Sequence, residues 1–225
     1  VGGTITAAGI ITAPHIKTGG TLNNAGLGKD VLAAITTGAN NTALGANAGD
    51  SLTTGARNTA LGHNALTANT TASDNTAVGQ ASLSANTTGT RNVAVGRNTL
   101  TTQTTTDDNT AVGYEALAAT TTGAANVAVG SGALDANTTA SYNTGIGADA
   151  LTANTTGTKN TGIGYEALEA TTTGSYNTSV GSNSLKANTT GASNSALGQG
   201  ALAQNTAGAN NTAIGLDALN QAPIS

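Results

Sequence analysis

The sequence predicts an all-β protein, a parallel β-solenoid or β-roll whose stacked coils each correspond to one copy of a repeat with a period of 17. Three observations support this fold class. The chain repeats at every seventeenth residue, its composition lacks the large side chains of an ordinary globular core, and its repeat is too short for the helix pairs of most α-solenoids. Thr, Asn, Gly and β-branched residues recur in the repeat, and they favour strands and turns over helices.

The repeat begins at Asn41, and each further copy begins with another Asn in strict register. The series is Asn41, Asn58, Asn75, Asn92, Asn109, Asn126, Asn143, Asn160, Asn177, Asn194 and Asn211. The unit is N-T-A-[VIL]-G-x-x-A-L-x-A-N-T-T-G-x-x, whose residues we number as positions 1 to 17, and each coil is named by its first Asn. Such invariance within one chain indicates that the residues of a column occupy equivalent surroundings.

The repeat divides the chain into three segments. Residues 24–222 form the predicted solenoid of twelve repeats, of which the first is degenerate and the last is truncated. Residues 1–23 do not fit the repeat. Short strands at 3–6 and 9–12 are predicted to form a cap or a junction to another segment, because a solenoid needs its open ends covered. Residues 223–225 form a C-terminal tail.

The composition argues against disorder, nucleic-acid binding and membrane insertion. The chain has no Phe, Trp, Met or Cys, only four Tyr, and 8% charged residues. Disordered chains usually combine high charge with few apolar residues, whereas Val, Ile and Leu recur here at regular intervals. A net charge of −4 with seven scattered basic residues predicts no nucleic-acid partner. No apolar run approaches the roughly 18 residues of a membrane span, so none is expected.

Strand geometry predicts which columns face inward. Because alternate residues of a strand face opposite sides, we expect the aliphatic position 4 to point into the coil. Positions 9 and 11 are expected to point inward from a second short strand, while the small positions 3 and 8 face outward. The G-x-x and N-T-T-G-x-x segments serve as turns, where Gly and Asn supply positive φ angles.

Stacking at about 4.8 Å per coil aligns like residues along the axis. The Asn columns are therefore predicted to form amide ladders of the kind found in cross-β stacks. At position 17, Arg57, Asp74, Arg91 and Asp108 alternate in sign, which predicts opposite charges on adjacent coils. Two large aliphatic side chains per coil make a thin core, and the small columns allow close approach of a neighbour, so a symmetric homo-oligomer is expected.

The repeat resembles two families. The N-T-A-[VIL]-G-x-x-A run, as in 75–79 and 109–113, resembles the head-domain repeats of trimeric autotransporter adhesins. The longer A-L-x-A-N-T-T-G form at 150–157 resembles repeats of bacteriophage tail-fibre proteins. The resemblance covers 24–222 and implies a left-handed, trimeric β-roll. It also implies a place in the virion, with other fibre or baseplate proteins and a host-surface glycan or protein receptor as partners.

No catalytic, cofactor-binding or metal-binding residue is predicted. The sequence Gly49-Asp50-Ser51-Leu52 spells the nucleophile motif of a lipase/esterase family, but it falls where one repeat departs from consensus and no D-x-x-H block follows. His15 and His63 lie on unrelated segments, whereas a metal site needs converging ligands. Position 7 carries acids that could bridge Ca²⁺, although a solvated acidic face is expected instead. These acids are Glu115, Asp149, Glu166 and Asp217.

Asn and Tyr columns offer two further candidate sites. Five N-T-T glycosylation sequons are attributed to ladder and turn requirements: Asn69, Asn86, Asn137, Asn154 and Asn188. Tyr114 and Tyr165 share position 6, while Tyr142 and Tyr176 share position 17. Exposed Tyr can stack on sugars, since it combines an apolar ring face with a polar tip. Surface placement without a ligand is the default expectation.

The predicted function is structural or adhesive, and not enzymatic. The first hypothesis is the rod-like shaft or receptor-binding part of a phage tail fibre. The alternative is the head of a trimeric bacterial surface adhesin, located outside the cell. A third, from another class, is an ice-binding solenoid that uses the Thr column at position 13, as at Thr70, Thr87, Thr104 and Thr121. Consecutive Thr residues point to opposite faces, which argues against a flat array of paired Thr.

Overall fold

A computed structural model of the chain describes residues 16–18 and 22–220. The predicted strands at 3–6 and 9–12, His15 and the tail at 223–225 lie outside the described residues. Within the described part of the chain there is no α-helix, and strands alternate with turns from end to end. The all-β prediction is therefore confirmed.

Thirteen strands of three residues form one sheet in chain order. The first strand, β1 (Ile16–Thr18), pairs antiparallel with β2 (Ala25–Leu27), and every later pair is parallel. The remaining strands are β3 (Thr42–Leu44), β4 (Thr59–Leu61), β5 (Thr76–Val78), β6 (Val93–Val95), β7 (Thr110–Val112), β8 (Val127–Val129), β9 (Thr144–Ile146), β10 (Thr161–Ile163), β11 (Thr178–Val180), β12 (Ser195–Leu197) and β13 (Thr212–Ile214).

The register places each repeat position on the same position of the next coil. In β8 and β9, for example, Val127 pairs with Thr144 and Val129 with Ile146. Backbone hydrogen bonds between coils continue outside the strands, as where Leu134 N donates to Ala150 O at 3.0 Å. The columns therefore stay in line along the axis, which confirms a parallel β-solenoid in which each sequence repeat forms one coil.

Each coil has one strand, at positions 2 to 4, and the predicted second strand is wrong. Positions 6 to 11 form a turn in the complete coils, shortened to positions 6 to 9 in the Asn92 coil. Positions 7 and 9 have positive φ angles, 57° at Glu115 and 52° at Leu117 in the Asn109 coil. Because two left-handed residues so close together curl the backbone, an extended strand cannot form there.

The interior holds different columns from those expected. Position 3 and position 8, predicted outward, are buried, with Ala111 and Ala116 at 0% exposure. Position 4, predicted inward, faces out, and Val129 is 36% exposed. Position 11 is half-buried, and position 12 points inward in its place. The cause is interior width: a Cβ added at Gly145 would lie 3.3 Å from Leu134 Cγ, so little more than a methyl group fits behind the strand.

The Leu column at position 9 fills the centre, as predicted. Its members have left-handed φ angles, for example 53° at Leu134, which cost an L-residue about 1–2 kcal/mol. Complete burial of the side chain offsets this by about 1.5–3 kcal/mol. In the Asn41 coil the core Leu comes from a different position. Gly49 stands at position 9, and Leu52 at position 12 fills the core.

Buried Asn side chains at position 1 form a continuous ladder, as predicted. Asn126 Oδ1 accepts from the backbone N of Asn143 at 2.9 Å. Its Nδ2 donates to Ala140 O at 2.9 Å, at the end of the N-T-T turn. One amide thus joins two coils and closes its own coil, so every polar atom of the side chain is used.

Candidate interaction surfaces

The outward side of the strands forms one continuous surface, which we call the sheet face. It consists of the position 2 and position 4 side chains of β2 to β13, with Thr or Val at most of the former and Val, Ile or Leu at all of the latter. None of these side chains carries a charge. Twelve strands at about 4.8 Å give a strip roughly 50 Å long.

The aliphatic column of the sheet face is half-buried or exposed in every coil, and most exposed toward the two ends. Leu44 is 47% exposed, Ile163 36% and Leu197 51%. Soluble monomers rarely expose contiguous apolar patches larger than a few hundred Å², and larger ones mark interaction sites. The sheet face is therefore the main candidate interaction surface of the described residues.

Sequence reasoning missed the sheet face because it placed the large aliphatic residues inside. Two signals in the repeat could have identified it. Position 2 and position 4 never carry a charge although they flank a buried small residue, and both belong to the same three-residue strand between Asn and Gly. An uncharged pair around an invariably small residue is typical of a strand whose outer side faces away from the core of its own chain and contacts a partner.

The charge ladder at position 17 forms as predicted. Arg57 Nε lies 2.6 Å from Asp74 Oδ1, and Arg91 Nε lies 2.7 Å from Asp108 Oδ1. The hydrogen bond from each arginine lowers the pKa of its aspartate. All four side chains are exposed, so these ion pairs add little to stability. Their consequence is a polar, charged corner on the first half of the rod.

The acidic residues at positions 7 and 10 occupy the other flank. Partial burial, with repulsion from Glu115 and Asp149, raises the pKa of Asp135. Glu166 is neutralised by Lys186, whose hydrogen bond lowers the pKa of that carboxyl. Among residues 16–18 and 22–220, no three His, Asp or Glu side chains form a group that could hold a metal ion.

The Asn sequons are not accessible. The side chains at Asn69, Asn86, Asn137, Asn154 and Asn188 are all buried at 0% exposure. Asn154 Nδ2, for example, donates to Asn137 Oδ1 at 3.2 Å and to Gly157 O at 3.0 Å. A glycan needs a solvent-facing amide, so these residues serve as a second ladder.

The esterase-like motif is explained by packing. Gly49 and Leu52 are both buried, since they carry the exchange of core positions in the Asn41 coil. Ser51 donates to Asp50 Oδ1 at 3.2 Å. His63 is exposed at position 6 of the next coil, on the far side of a turn from position 11 where Ser51 stands.

The Thr hydroxyls at position 13 are used within the rod. Thr87 Oγ1 donates to Thr104 O at 3.0 Å, and Thr121 Oγ1 donates to Thr138 O at 3.1 Å. Thr70 makes the same bond to the next coil at 3.4 Å. These protons link coils, so the column named for ice binding does not offer them to a ligand.

All four tyrosines lie on the surface, at the two corners that border the sheet face. Tyr114 and Tyr165 are exposed at position 6, and Tyr142 and Tyr176 at position 17. Lys159 Nζ lies 5.0 Å from the ring centroid of Tyr176, on the coil between Tyr142 and Tyr176. Aromatic side chains thus take no part in the core.

The chain matches no protein-family model, no curated protein and no solved structure. The described part of the chain also contains no helix that is long and apolar enough to cross a membrane. The sheet face and the exposed tyrosines at positions 6 and 17 are the two candidate binding surfaces of the described residues.

Proposed function

We propose that this chain is a structural and adhesive fibre component, a rod that assembles with further copies of itself through the sheet face. The observation that carries the proposal is the uncharged aliphatic column, which runs along the whole described solenoid with every member half-buried or exposed. Covering it with an identical surface would bury the Val, Ile and Leu side chains. This burial would stabilise the assembly by about 25 cal/mol per Å² of apolar area.

The regular spacing of the sheet face supports a second copy as its occupant. Every coil presents the same pair of columns at the same rise, so a copy of the chain aligned with the rod meets each coil equivalently. Homo-oligomers close most often by rotational symmetry, which leaves no face unpaired. Three copies around one axis is the number that the resemblance to trimeric adhesin heads implies, and with it a left-handed roll.

A stiff rod of equivalent coils fits the shaft or receptor-binding part of a phage tail fibre. Repeated coils set a length without a large globular core, and backbone bonds between coils persist through the turns as well as the strands. In this role the partners are other fibre or baseplate proteins and a receptor on the host surface. The head of a bacterial surface adhesin would use the same rod, and the neighbouring genes distinguish the two.

Ice binding is the second candidate, and one observation favours it. On the sheet face, position 2 carries Thr in eight of twelve strands, interrupted by Val93 and Val127 among others, beside the aliphatic column at position 4. This array replaces the position 13 column as the candidate ice-binding surface. It requires a free sheet face, so it is incompatible with assembly through that face.

Native mass spectrometry with analytical ultracentrifugation tests the proposal. The wild-type chain is expected to form a homo-oligomer. A variant with Val112→Glu and Val129→Glu is expected to dissociate, because the two charges would be buried without partners. Its matched control, Thr122→Glu with Thr139→Glu, changes exposed residues of the same coils at position 14 and should keep the wild-type mass.

A monomeric wild-type chain at all accessible concentrations would overturn the proposed assembly. In that case thermal hysteresis is measured on the same sample, and activity that Thr110→Lys and Thr144→Lys abolish would establish ice binding. Circular dichroism of each variant distinguishes dissociation from loss of the fold.

A further inference from the structure

Three successive coils carry an exposed group that no packing or assembly requirement explains. We call it the tyrosine ridge: Tyr142, Lys159 and Tyr176, all at position 17. Tyr142 is 64% exposed and Tyr176 57%. Lys159 Nζ lies 5.0 Å from the ring centroid of Tyr176 and 3.4 Å from its Oη. The ridge thus presents two exposed aromatic rings on alternate coils, with a cation beside one of them.

The backbone conformation at the ridge disfavours tyrosine. The φ angles are 63° at Tyr142, 58° at Lys159 and 61° at Tyr176. Bulky residues adopt this left-handed region reluctantly, whereas Asn tolerates it. Asn occupies the same column at Asn40 and Asn210, with φ of 60° and 59°. Because the two rings remain largely exposed, they recover no core packing in exchange.

The use of aromatic residues in the chain strengthens this contrast. The four Tyr are its only aromatic side chains, and none of them is buried. The core is built mainly from Leu, Ala and Asn. All position 17 residues of the described coils share the left-handed angle, so the feature specific to the ridge is the pair of exposed rings beside an unpaired cation.

The cation of the ridge has no acidic partner. Arg57 and Arg91, on earlier coils of the same column, are each paired with an aspartate. Among residues 22–220, no carboxylate lies within ion-pair distance of Lys159. Its positive charge is therefore open to an anion from solution, in contrast to the rest of the ladder.

The spacing of the ridge limits the shape of a ligand. Tyr142 and Tyr176 are two coils apart, which corresponds to about 9.6 Å along the axis. A sugar chain that runs along the rod could place one ring on each tyrosine and an acidic group near Lys159. Hydroxyl side chains border the ridge at position 16 on the same three coils: Ser141, Thr158 and Ser175.

We propose that the tyrosine ridge binds an acidic saccharide chain lying parallel to the rod axis. The apolar faces of two sugar rings stack on Tyr142 and Tyr176, and a carboxylate of the saccharide pairs with Lys159. This inference deepens the proposed adhesive role by naming a receptor chemistry, and it rests on that role.

Titration of the full chain with hexagalacturonate and with a hyaluronan hexasaccharide tests the inference, with cellohexaose as the neutral comparison. The chain has no Trp, so its emission comes from four Tyr, two of which belong to the ridge. Isothermal titration calorimetry measures binding in the wild type and in every variant, because the tyrosine variants remove fluorophores. We expect both acidic probes, or one of them, to bind and to quench this emission. The neutral hexamer should bind more weakly, and added salt should reduce the difference.

The decisive variant is Tyr142→Asn with Tyr176→Asn. Binding should fall at least about tenfold, as for truncation of an aromatic contact residue. The melting temperature should stay equal or rise, because Asn suits the left-handed corner. The matched control, Tyr114→Asn with Tyr165→Asn at position 6, should bind as the wild type does. Lys159→Gln should abolish the preference for the acidic probes.

The mass of the assembly is measured in every sample, so the two proposals can fail separately. A monomeric chain that binds the acidic probes would overturn the assembly and keep the ridge. The ridge is overturned if neither acidic probe binds at millimolar concentration, or if the Tyr142/Tyr176 variant binds as the wild type does. It is also overturned if that variant changes the mass, since the rings would then lie between copies.

Discussion

Positions 3 and 4 are neighbours in every coil, yet they meet opposite environments. Ala128 is fully buried, whereas Val129, the larger and more apolar residue, faces solvent. The usual association of size with burial is reversed because the space between the strand and the Leu turn admits little more than a methyl group. The aliphatic column at position 4 therefore contributes little to the core of a single chain.

The largest effect on the free energy of unfolding is expected from the Leu at position 9, the large side chain that the interior of most coils holds. Leu134→Ala should lower the free energy of unfolding by about 3–5 kcal/mol, because the stacked coils above and below limit collapse of the cavity. Val129→Ala, five positions earlier on the sheet face, should change it by less than about 1 kcal/mol in the dissociated chain. Urea unfolding followed by circular dichroism measures both. Equal losses would contradict the assignment of inside and outside.

A second comparison separates the two Asn ladders. Asn126 at position 1 has all its side-chain atoms bonded, whereas Oδ1 of Asn154 at position 12 has no partner. Asn126→Ala leaves the N of Asn143 and the O of Ala140 without their side-chain partner, which should cost about 2–4 kcal/mol. Asn154→Ala should cost less, since it breaks fewer bonds.

Hydrogen exchange at the amide of Asn143 gives a local check on the first ladder. Protection there should fall in the Asn126 variant and persist in the Asn154 variant. A larger loss of stability in the Asn154 variant would mean that the ladder at position 12 carries the stack.

Much of this architecture could be predicted from the sequence, since a period of 17 without insertion forces equivalent coils. The Asn ladders and the Arg57–Asp74 and Arg91–Asp108 pairs follow from stacking alone. Which columns face inward could not be predicted, because a three-residue strand supports either assignment. The turn that replaces the second strand had a signal at position 7, where most coils carry Asn, Asp or Gly, which tolerate left-handed angles. The Leu at position 9, which also has a left-handed angle, gave no such signal. Trimer formation and handedness stay predictions.

The smallest effects are expected from the two charged flanks. Their carboxylates should change the stability of the fold with opposite signs at neutral pH. The pKa of Asp74 is lowered by Arg57, so this aspartate stabilises the fold above its unfolded pKa of about 3.9 and loses that contribution as pH falls through its folded value. The pKa of Asp135 is raised by burial, Glu115 and Asp149, so its ionised form disfavours the fold at neutral pH.

Asp74→Asn should therefore lower the melting temperature slightly at pH 7, and Asp135→Asn should raise it slightly. Both differences should shrink as the pH falls below the folded and unfolded pKa of each carboxyl, where it is protonated in both states. Salt should weaken the first effect, because the Arg57–Asp74 pair is exposed. Shifts of the same sign at pH 7 would show that the two flanks do not differ electrostatically, and that Asp135 is stabilised by a group other than those that surround it on positions 7 and 10.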